Sequence, residues 1–591
     1  MSDHNNNDLT NKEISKILSE LADLMEIKGE NKFKVRAYSN AARKLNSISE
    51  DVGDLISEGR LTDLNGIGKG IGSTIEDIYQ EGYSPTLEEL RTELPSGVLE
   101  LIEIPGLGPK RAHKLFYDLE IQSVEGLKKA LLQKRVRTLK GFGPKTEEKL
   151  LKAIEEYKQY QGLVLYDEAE NEAALILDEL NKIAEENKGS VEEIEVAGSL
   201  RRKKEIIGDI DILISTEKPE KLCELLEQLS FLKEVIEKGE TKVSIYTENN
   251  NRVDFRLIKP EEFASALQYF TGSKEHNVKM RQKAKKNGYK LNEYGLFKIS
   301  DNPDGKDERV SIETEQDIYN KLEMDYIIPE LREDRGEMEA AANEGLPESV
   351  KLSDINGDLH VHSRFSDGAF TIEEMIDAAL EMGYDYLAIT DHSQSLRVAH
   401  GMSAEKVVRQ RKKLNELRSK YPDFDIINGI EVDILSDGSL DYSDEILRGF
   451  DFVIASIHSG FRQSEEKMTQ RIIKAINNPF VDVIGHPQGR ILGRRKSYSV
   501  DMKKVIEAAA QQRVALEINA SPNRLDLDPI MARKAKEAGV KLIINTDAHH
   551  IEQFKDMKLG VNVARRGWLE KEDILNTMSY DELMDYFNQK S

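Results

Sequence analysis

The sequence predicts a multidomain protein of mixed class: a helical N-terminal region, an α+β middle and a C-terminal α/β barrel of distorted TIM-like type. Three observations predict it. Between Leu64 and Thr146 a short apolar-x-Gly-apolar-Gly unit occurs three times, each followed by a basic residue that opens a helical stretch. Around Gly208 to Ser215 isoleucines alternate with aspartates, and a hairpin signal follows at Lys242 to Leu257. From His360 onward, short apolar runs ending in His, Asp or Glu alternate with helical segments. A chain of 591 residues is long enough to bury several separate cores.

Composition narrows the setting. The one cysteine, Cys223, excludes intrachain disulfides and cysteine-cluster zinc sites and fits a reducing cytoplasm. Leu222, Leu225, Leu226 and Leu229 place it on an amphipathic helix, so packing is its expected role. The polar start M-S-D-H-N-N-N and the lack of a long apolar run predict a soluble, cytoplasmic chain with no membrane partner. A net charge of −24 argues superficially against nucleic acid, but basic residues cluster at Lys110 to Lys114, Lys128 to Lys145 and Lys274 to Lys290. These are local basic tracks on an acidic protein.

Taken in order, the segment Asn11 to Glu58 has helical periodicity broken by short polar stretches. The three repeated units follow: L-N-G-I-G-K-G-I (Gly66, Gly68, Lys69), I-P-G-L-G-P-K-R-A (Gly106, Gly108, Lys110) and L-K-G-F-G-P-K-T (Gly141, Gly143, Lys145). Glycine permits a tight turn with positive φ, and backbone N–H groups at the following helix start suit a phosphate. One such unit is an ordinary joint between helices; three with basic followers point to sequence-independent DNA-backbone binding. They resemble the helix-hairpin-helix motif.

In V-A-G-S-L-R-R-K-K-E-I-I-G-D-I-D-I-L-I-S, residues two apart share a strand face, so Asp209 and Asp211 project together while Ile210, Ile212 and Ile214 pack behind. Two adjacent carboxylates repel unless a cation lies between them. A turn at Gly198-Ser199 can present N–H groups to an anion, and Arg202 can fork onto a phosphate. Phosphate donors beside a metal-type carboxylate pair suggest nucleotidyl transfer by two metals. An edge strand with solvated acids has the same alternation. Asp254, in R-V-D-F-R-L, adds a third carboxylate on the same face if the two strands are neighbours.

The order G-S-L-R-R, G-D-I-D, V-D-F-R and Y-F-T-G-S resembles the palm of a family X DNA polymerase, over about Leu18 to Arg335. The resemblance implies a nucleotidyltransferase palm and thumb. Asp209 and Asp211 would hold both Mg²⁺ or Mn²⁺ ions, and Asp254 the one at the primer 3′-OH. Gly198, Ser199, Arg202 and Gly208 would lie at the dNTP triphosphate, Tyr269, Phe270 and Gly272 at its sugar, Asn277 at the nascent pair and Arg281 at the template. Two departures stand out. Ile207 occupies a position where relatives often offer a hydroxyl to the triphosphate. Thr74 aligns with the lysine that in many eukaryotic relatives forms a Schiff base, so the usual lyase activity is not expected.

Eight of the eleven histidines fall between His360 and His550. G-D-L-H-V-H-S, T-D-H-S, G-I-E-V, S-I-H-S, G-H-P and T-D-A-H resemble the polymerase and histidinol phosphatase (PHP) domain, over roughly Leu352 to Glu570. The matching ligands are His360, His362, Asp367, His392, Glu431, His458, His486, Asp547 and His549, for up to three Mn²⁺ or Zn²⁺ ions, with Glu431 suited to bridging. Arg490, in the loop after His486, is read as a phosphate contact; His400 and His550 are left outside the ligand set.

Together these give a domain order of 1–95 helical with helix-hairpin-helix, 96–160 a fingers-like helix-hairpin-helix region, 161–258 palm, 259–335 thumb, 336–351 linker, 352–575 PHP barrel and 576–591 tail. The function expected is gap filling in DNA repair, on gapped or primed DNA with dNTPs, by a monomer associated with the nucleoid during repair. The barrel would act as a metal-dependent 3′-5′ exonuclease. Its alternatives are a small-molecule phosphatase, an abasic-site endonuclease or a vestigial DNA-binding module.

Overall fold

The computed structural model describes residues 9–589 except 47, 49, 161, 301–305 and 344. It divides into two compact units, Met1–Gln161 and Gly162–Ser591.

The first unit is helical, as the periodicity predicts. Helix Asn11–Lys28 starts on a capping box between Thr10 and Glu13 and ends at Gly29 in the left-handed region. Its apolar face, including Leu18, Leu21 and Met25, is buried. The three glycine units share one geometry. Gly66, Gly106 and Gly141 have φ of +98°, +87° and +99°. The apolar residue between each glycine pair is buried (Ile67, Leu107, Phe142). Its N–H donates to the carbonyl three residues back, from Ile67 to Leu64, Leu107 to Ile104 and Phe142 to Leu139. The buried side chain anchors a turn whose backbone faces open space: a Cβ at any of the six glycines would meet nothing within 4 Å.

In the second unit, a five-stranded mixed sheet runs in the order Ile194–Val196, Ile210–Ser215, Arg252–Ile258, Lys242–Thr247, Leu232–Lys238. Ile210, Ile212, Ile214, Val253 and Phe255 pack under helix Tyr166–Glu186, through Ala169, Ala173, Ile176 and Leu180. On the opposite face Leu213 packs with Ala197, Phe263, Ala266 and Leu267. Helices Phe263–Thr271 and Lys274–Lys286 lead into a three-stranded antiparallel sheet. Arg332, with no exposed surface, donates to Glu315, which also receives Arg201. The segment read as a linker is not a free tether. Helix Glu337–Ala341 buries Glu337, Met338 and Ala341, and Glu337 lies 2.8 Å from His276 Nδ1 while accepting the N–H groups of Asp334 and Arg335. The polar Glu337 serves buried hydrogen bonds, while Glu339, Asn343 and Glu348 are exposed.

A seven-stranded parallel sheet follows in strict chain order: Gly357–Val361, Tyr386–Ile389, Asp425–Asp433, Phe452–Ser456, Val483–Ile484, Ala515–Asn519, Leu542–Asn545. The last strand curls back to the first, where His362 N–H donates to the Ala548 carbonyl at 2.8 Å and Ala548 N–H to that of His360 at 3.3 Å. The barrel is thus nearly closed. Leu359, Tyr386, Ala388, Ile427, Phe452, Ile454, Val483, Ala515 and Ile543 form one buried cluster with Leu575, Leu583 and Phe587. The supposed tail is therefore helix Tyr580–Asn588, whose apolar side completes that core.

Candidate metal centres and nucleic-acid contacts

Strands Ile210–Ser215 and Arg252–Ile258 are parallel neighbours with Asp211 directly opposite Asp254. Asp209, just before the first strand, joins them: one carboxylate oxygen from each lies within 4.8 Å of the others. Burial, reinforced by the charges of Asp209 and Asp254, pushes the Asp211 carboxyl up to about 7. Burial would raise Asp254 too, but Ser244, Lys242 and Arg252 outweigh it and hold the group below the usual carboxylate range. Lys242 Nζ and Arg252 Nε each lie 3.1 Å from its oxygens. The cluster is short of positive charge at Asp211, which fits a divalent cation.

Beside it, Gly198 has φ +60°, and a Cβ there would stand 2.1 Å from Asp211 Oδ2. No other residue type fits so close to the carboxylates. Ser199 is half-buried in the short helix Gly198–Arg201. Gly208 is exposed. Ile207 lies buried in a two-stranded pairing with Val164, so it serves the core and offers nothing polar. Tyr269 and Phe270, in an edge-to-face pair, end helix Phe263–Thr271 at Gly272, and Arg256 lies over the Phe270 ring. Asn277 is spent on tying helices together: Nδ2 donates to the Tyr269 carbonyl at 2.6 Å and Oδ1 accepts from Gln268. Arg281 is exposed on helix Lys274–Lys286. In the separate helical unit Lys69, Lys110 and Lys145 are exposed in the first turns of the helices after each glycine turn. Thr74 hydrogen-bonds Tyr38 at 3.2 Å.

At the barrel mouth every metal-type residue sits on, or just beyond, the C-terminal end of a strand, where neighbouring strand ends converge. Glu431 is the hub. Its Oε1 lies 3.3 Å from His458 Nε2 and 3.2 Å from His486 Nε2. Its Oε2 lies 2.7 Å from His392 Nδ1, 3.5 Å from His360 Nε2 and 3.7 Å from His362 Nε2. His362 Nε2 is also 3.1 Å from Asp547 Oδ1, and His549 Nε2 is 3.3 Å from Asp367 Oδ1. Three ligand groups result: His362, Asp367, His392 and His549; His360, His362 and Asp547; His392, Glu431 and His458.

The donor chemistry fits cations. His360 Nε2, His362 Nδ1, His392 Nδ1 and Glu431 Oε2 are buried without a hydrogen-bond partner, the close His392–Glu431 approach lacking hydrogen-bond geometry. Burial opposes charge on His360, but Glu517, Asp547 and Glu431 carry it well above the usual histidine range. His458, against burial, rises to about 10 beside Glu431 and Asp433, and His549 to about 9 beside Asp367 and Asp547. Burial and its histidine neighbours drop His362 to about 3. Bound metals would supply the positive charge that protons supply otherwise.

Sequence reading missed the residues that orient these ligands. Glu517 meets His360 Nδ1 at 2.7 Å and accepts the His486 N–H; Asp433 meets His458 Nδ1 at 2.8 Å. A-L-E-I-N-A does read as a strand and E-V-D carries Asp433 two residues beyond Glu431, which is the signal available. Arg524, whose Nε lies 3.6 Å from Asp547 Oδ2, faces the cluster instead of Arg490. Arg490 is committed elsewhere, to Glu205 at 2.6 Å and the Arg524 and Leu525 carbonyls.

Five family models match the chain: helix-hairpin-helix domain over 9–84, SAM-like helix-hairpin-helix tandem over 98–156, DNA polymerase beta palm over 166–258, DNA polymerase beta thumb over 266–333 and PHP domain over 358–521. The chain is 42% identical over 574 residues to the DNA polymerase/3′-5′ exonuclease PolX of Bacillus subtilis, which spans 97% of this chain and 98% of that protein. It is 32% identical over 244 residues to a probable phosphatase of Caldanaerobacter subterraneus, covering 39% of this chain and 91% of that protein. A probable phosphatase of Thermoanaerobacter is likewise 32% identical over 245 residues.

Proposed function

The chain belongs to the family X DNA polymerases that carry a C-terminal PHP domain, and from that premise we propose how its residues divide the work of a DNA polymerase and a 3′-5′ exonuclease. The observation that supports the polymerase assignment most is the in-register Asp211–Asp254 pair with Asp209 beside it. Asp209 and Asp211 would hold the divalent ions of nucleotidyl transfer, with Asp254 joining them on the primer 3′-OH side. Ser199 and Arg202 bind the triphosphate, with Gly198 and Gly208 allowing close approach, and the Tyr269-Phe270 end of its helix with Gly272 walls the sugar. Arg281 meets the template strand. The glycine turns at Gly66, Gly106 and Gly141, with Gly68, Gly108 and Gly143 and the lysines that follow them, grip the DNA backbone.

In the barrel, His360, His362, Asp367, His392, Glu431, His458, His486, Asp547 and His549 would hold up to three Mn²⁺ or Zn²⁺ ions, and Arg524 would meet the substrate phosphate. Divalent ions bound at the two centres, Mg²⁺ or Mn²⁺ in the palm, supply charge that stabilises the transferring phosphoryl oxygens and, in the barrel, lowers the pKa of a water. Glu517 and Asp433 keep His360 and His458 in the orientation that binding requires. The substrate is the primer strand of gapped or primed DNA, and the incoming groups are dNTPs. The assay is primer length on gapped DNA: it lengthens with dNTPs and shortens without them, and turnover of a small phosphomonoester with no primer shortening would favour the phosphatase-like reading.

Two expected results arise here. Metal binding in the palm requires the Asp211 carboxylate, raised to about 7, to lose its proton. Apparent Mg²⁺ affinity therefore rises with pH below about 7, by up to about tenfold per unit, and levels off above it. Calorimetric titration of the full chain, with Asp254→Ala titrated in parallel to subtract the barrel groups, measures this, and a flat difference from pH 6 to 8 would contradict it. Separately, borohydride should trap no adduct at Thr74, which has no amine. An adduct mapping to Lys69 would show that the exposed turn lysine takes the lyase role.

A further inference from the structure

Helix Met557–Arg566 of the barrel domain lies against the polymerase core. Arg565 Nε donates to Glu330 at 2.9 Å. Arg566, only 3% exposed, donates from Nη1 to the Arg202 carbonyl at 2.7 Å and to Glu333 Oε1 at 3.2 Å. That same oxygen accepts Arg202 Nε at 3.0 Å. Arg202 Nη1 donates in turn to the Thr271 carbonyl at 2.5 Å, and a Cβ at Gly272 would stand 3.1 Å from it. An Arg–Glu–Arg chain thus runs from the barrel to the residues at the nucleotide pocket.

We propose that Arg566 is a positioning residue for nucleotidyl transfer: the exonuclease domain reaches into the polymerase's nucleotide pocket and, by sharing Glu333, frees Arg202 to bind the triphosphate. This rests on the nucleotide-binding role given to Arg202. A carboxylate claimed by one guanidinium cancels its charge, whereas a carboxylate between two leaves one net positive charge for a phosphate. Arg566 also fixes the Arg202 backbone through its carbonyl, so the guanidinium approaches from a set direction. Burial would raise Glu333, yet Arg566 and Arg202 hold it below the usual carboxylate range, so it stays an anion between them.

The test is steady-state incorporation by the full chain, with 3′-5′ hydrolysis of the same primer measured in parallel. Arg566→Ala should raise KM for dNTP roughly tenfold, the scale of one lost charge-assisted hydrogen bond, with kcat and hydrolysis within about twofold of wild type. Arg566→Lys, which keeps the charge, should fall between. Adding Glu333→Gln to Arg566→Ala removes the carboxylate that now cancels Arg202, and should bring KM back toward the wild-type value. A purely structural contact would make that double variant worse than the single one, and this outcome overturns the proposal, as does an unchanged KM in Arg566→Ala. If Arg566→Ala loses hydrolysis as well, through misfolding, Arg566→Lys decides: an unchanged KM there overturns the proposal. Arg202→Ala separates the premise: should it leave KM unchanged, the role of Arg202 is wrong and the proposal falls with it, whereas a raised KM there with unaffected Arg566 variants rejects the proposal alone.

Discussion

Asp254→Ala should abolish nucleotide incorporation, beyond the ~10–100-fold cost of losing a residue that merely supports a ligand, while 3′-5′ hydrolysis stays within about twofold. The carboxylate lies opposite Asp211 on the neighbouring strand and belongs to the palm cluster alone. Its loss also releases Lys242 and Arg252, both 3.1 Å away, to pair with Asp209 and Asp211 in place of a metal. The exchange leaves the sheet hydrogen bonds untouched and removes one of three mutually repelling carboxylates, so the variant should still fold, as thermal unfolding would show. Primer extension on gapped DNA and primer shortening without dNTPs measure the two arms. Equal loss of both in a folded protein would show that the centres depend on one another.

His360→Ala is the reciprocal experiment. His360 faces both Glu431 and Asp547 through Nε2 and is oriented by Glu517 through Nδ1. Its removal should strip metal from the barrel, read by elemental analysis, and cut hydrolysis by more than about 100-fold. Incorporation should persist and net primer extension should increase, because the nascent end is no longer trimmed. A variant that shortened primers at the wild-type rate would place the nuclease elsewhere and leave the barrel to a small phosphate ester.

The residues that the structure brings together in carboxylate and histidine clusters were legible because their spacing is set by backbone geometry. Alternation in D-I-D placed two carboxylates on one face, and His, Asp or Glu at successive strand ends announced the barrel mouth. Failures of reading came where one residue type serves two purposes. Arg490 follows a metal-type histidine, as a phosphate contact would, yet it pairs with Glu205 of the palm. Glu337 and its neighbours look like a solvated linker, yet the acid is buried against His276. Contacts between segments far apart in sequence leave no periodic trace. For the same reason Glu517, 157 residues from the histidine it orients, could be read as a strand residue but not as that histidine's partner.

Closure of the barrel fixes when it can assemble during synthesis. The first strand hydrogen-bonds through Ala548, and His362 meets Asp547 across 185 residues of chain. At typical elongation speeds of ~5–20 residues per second, roughly 10–40 seconds separate these partners on the ribosome. Over that interval the open edge of Gly357–Val361 has no last strand to pair with, and the interior lacks Leu583 and Phe587. The ligand groups that include Asp547 and His549 are complete only after that delay. Two of the three ligand groups can therefore form only late in synthesis, and slowed translation of the last strand would lengthen exposure of a half-built sheet to aggregation.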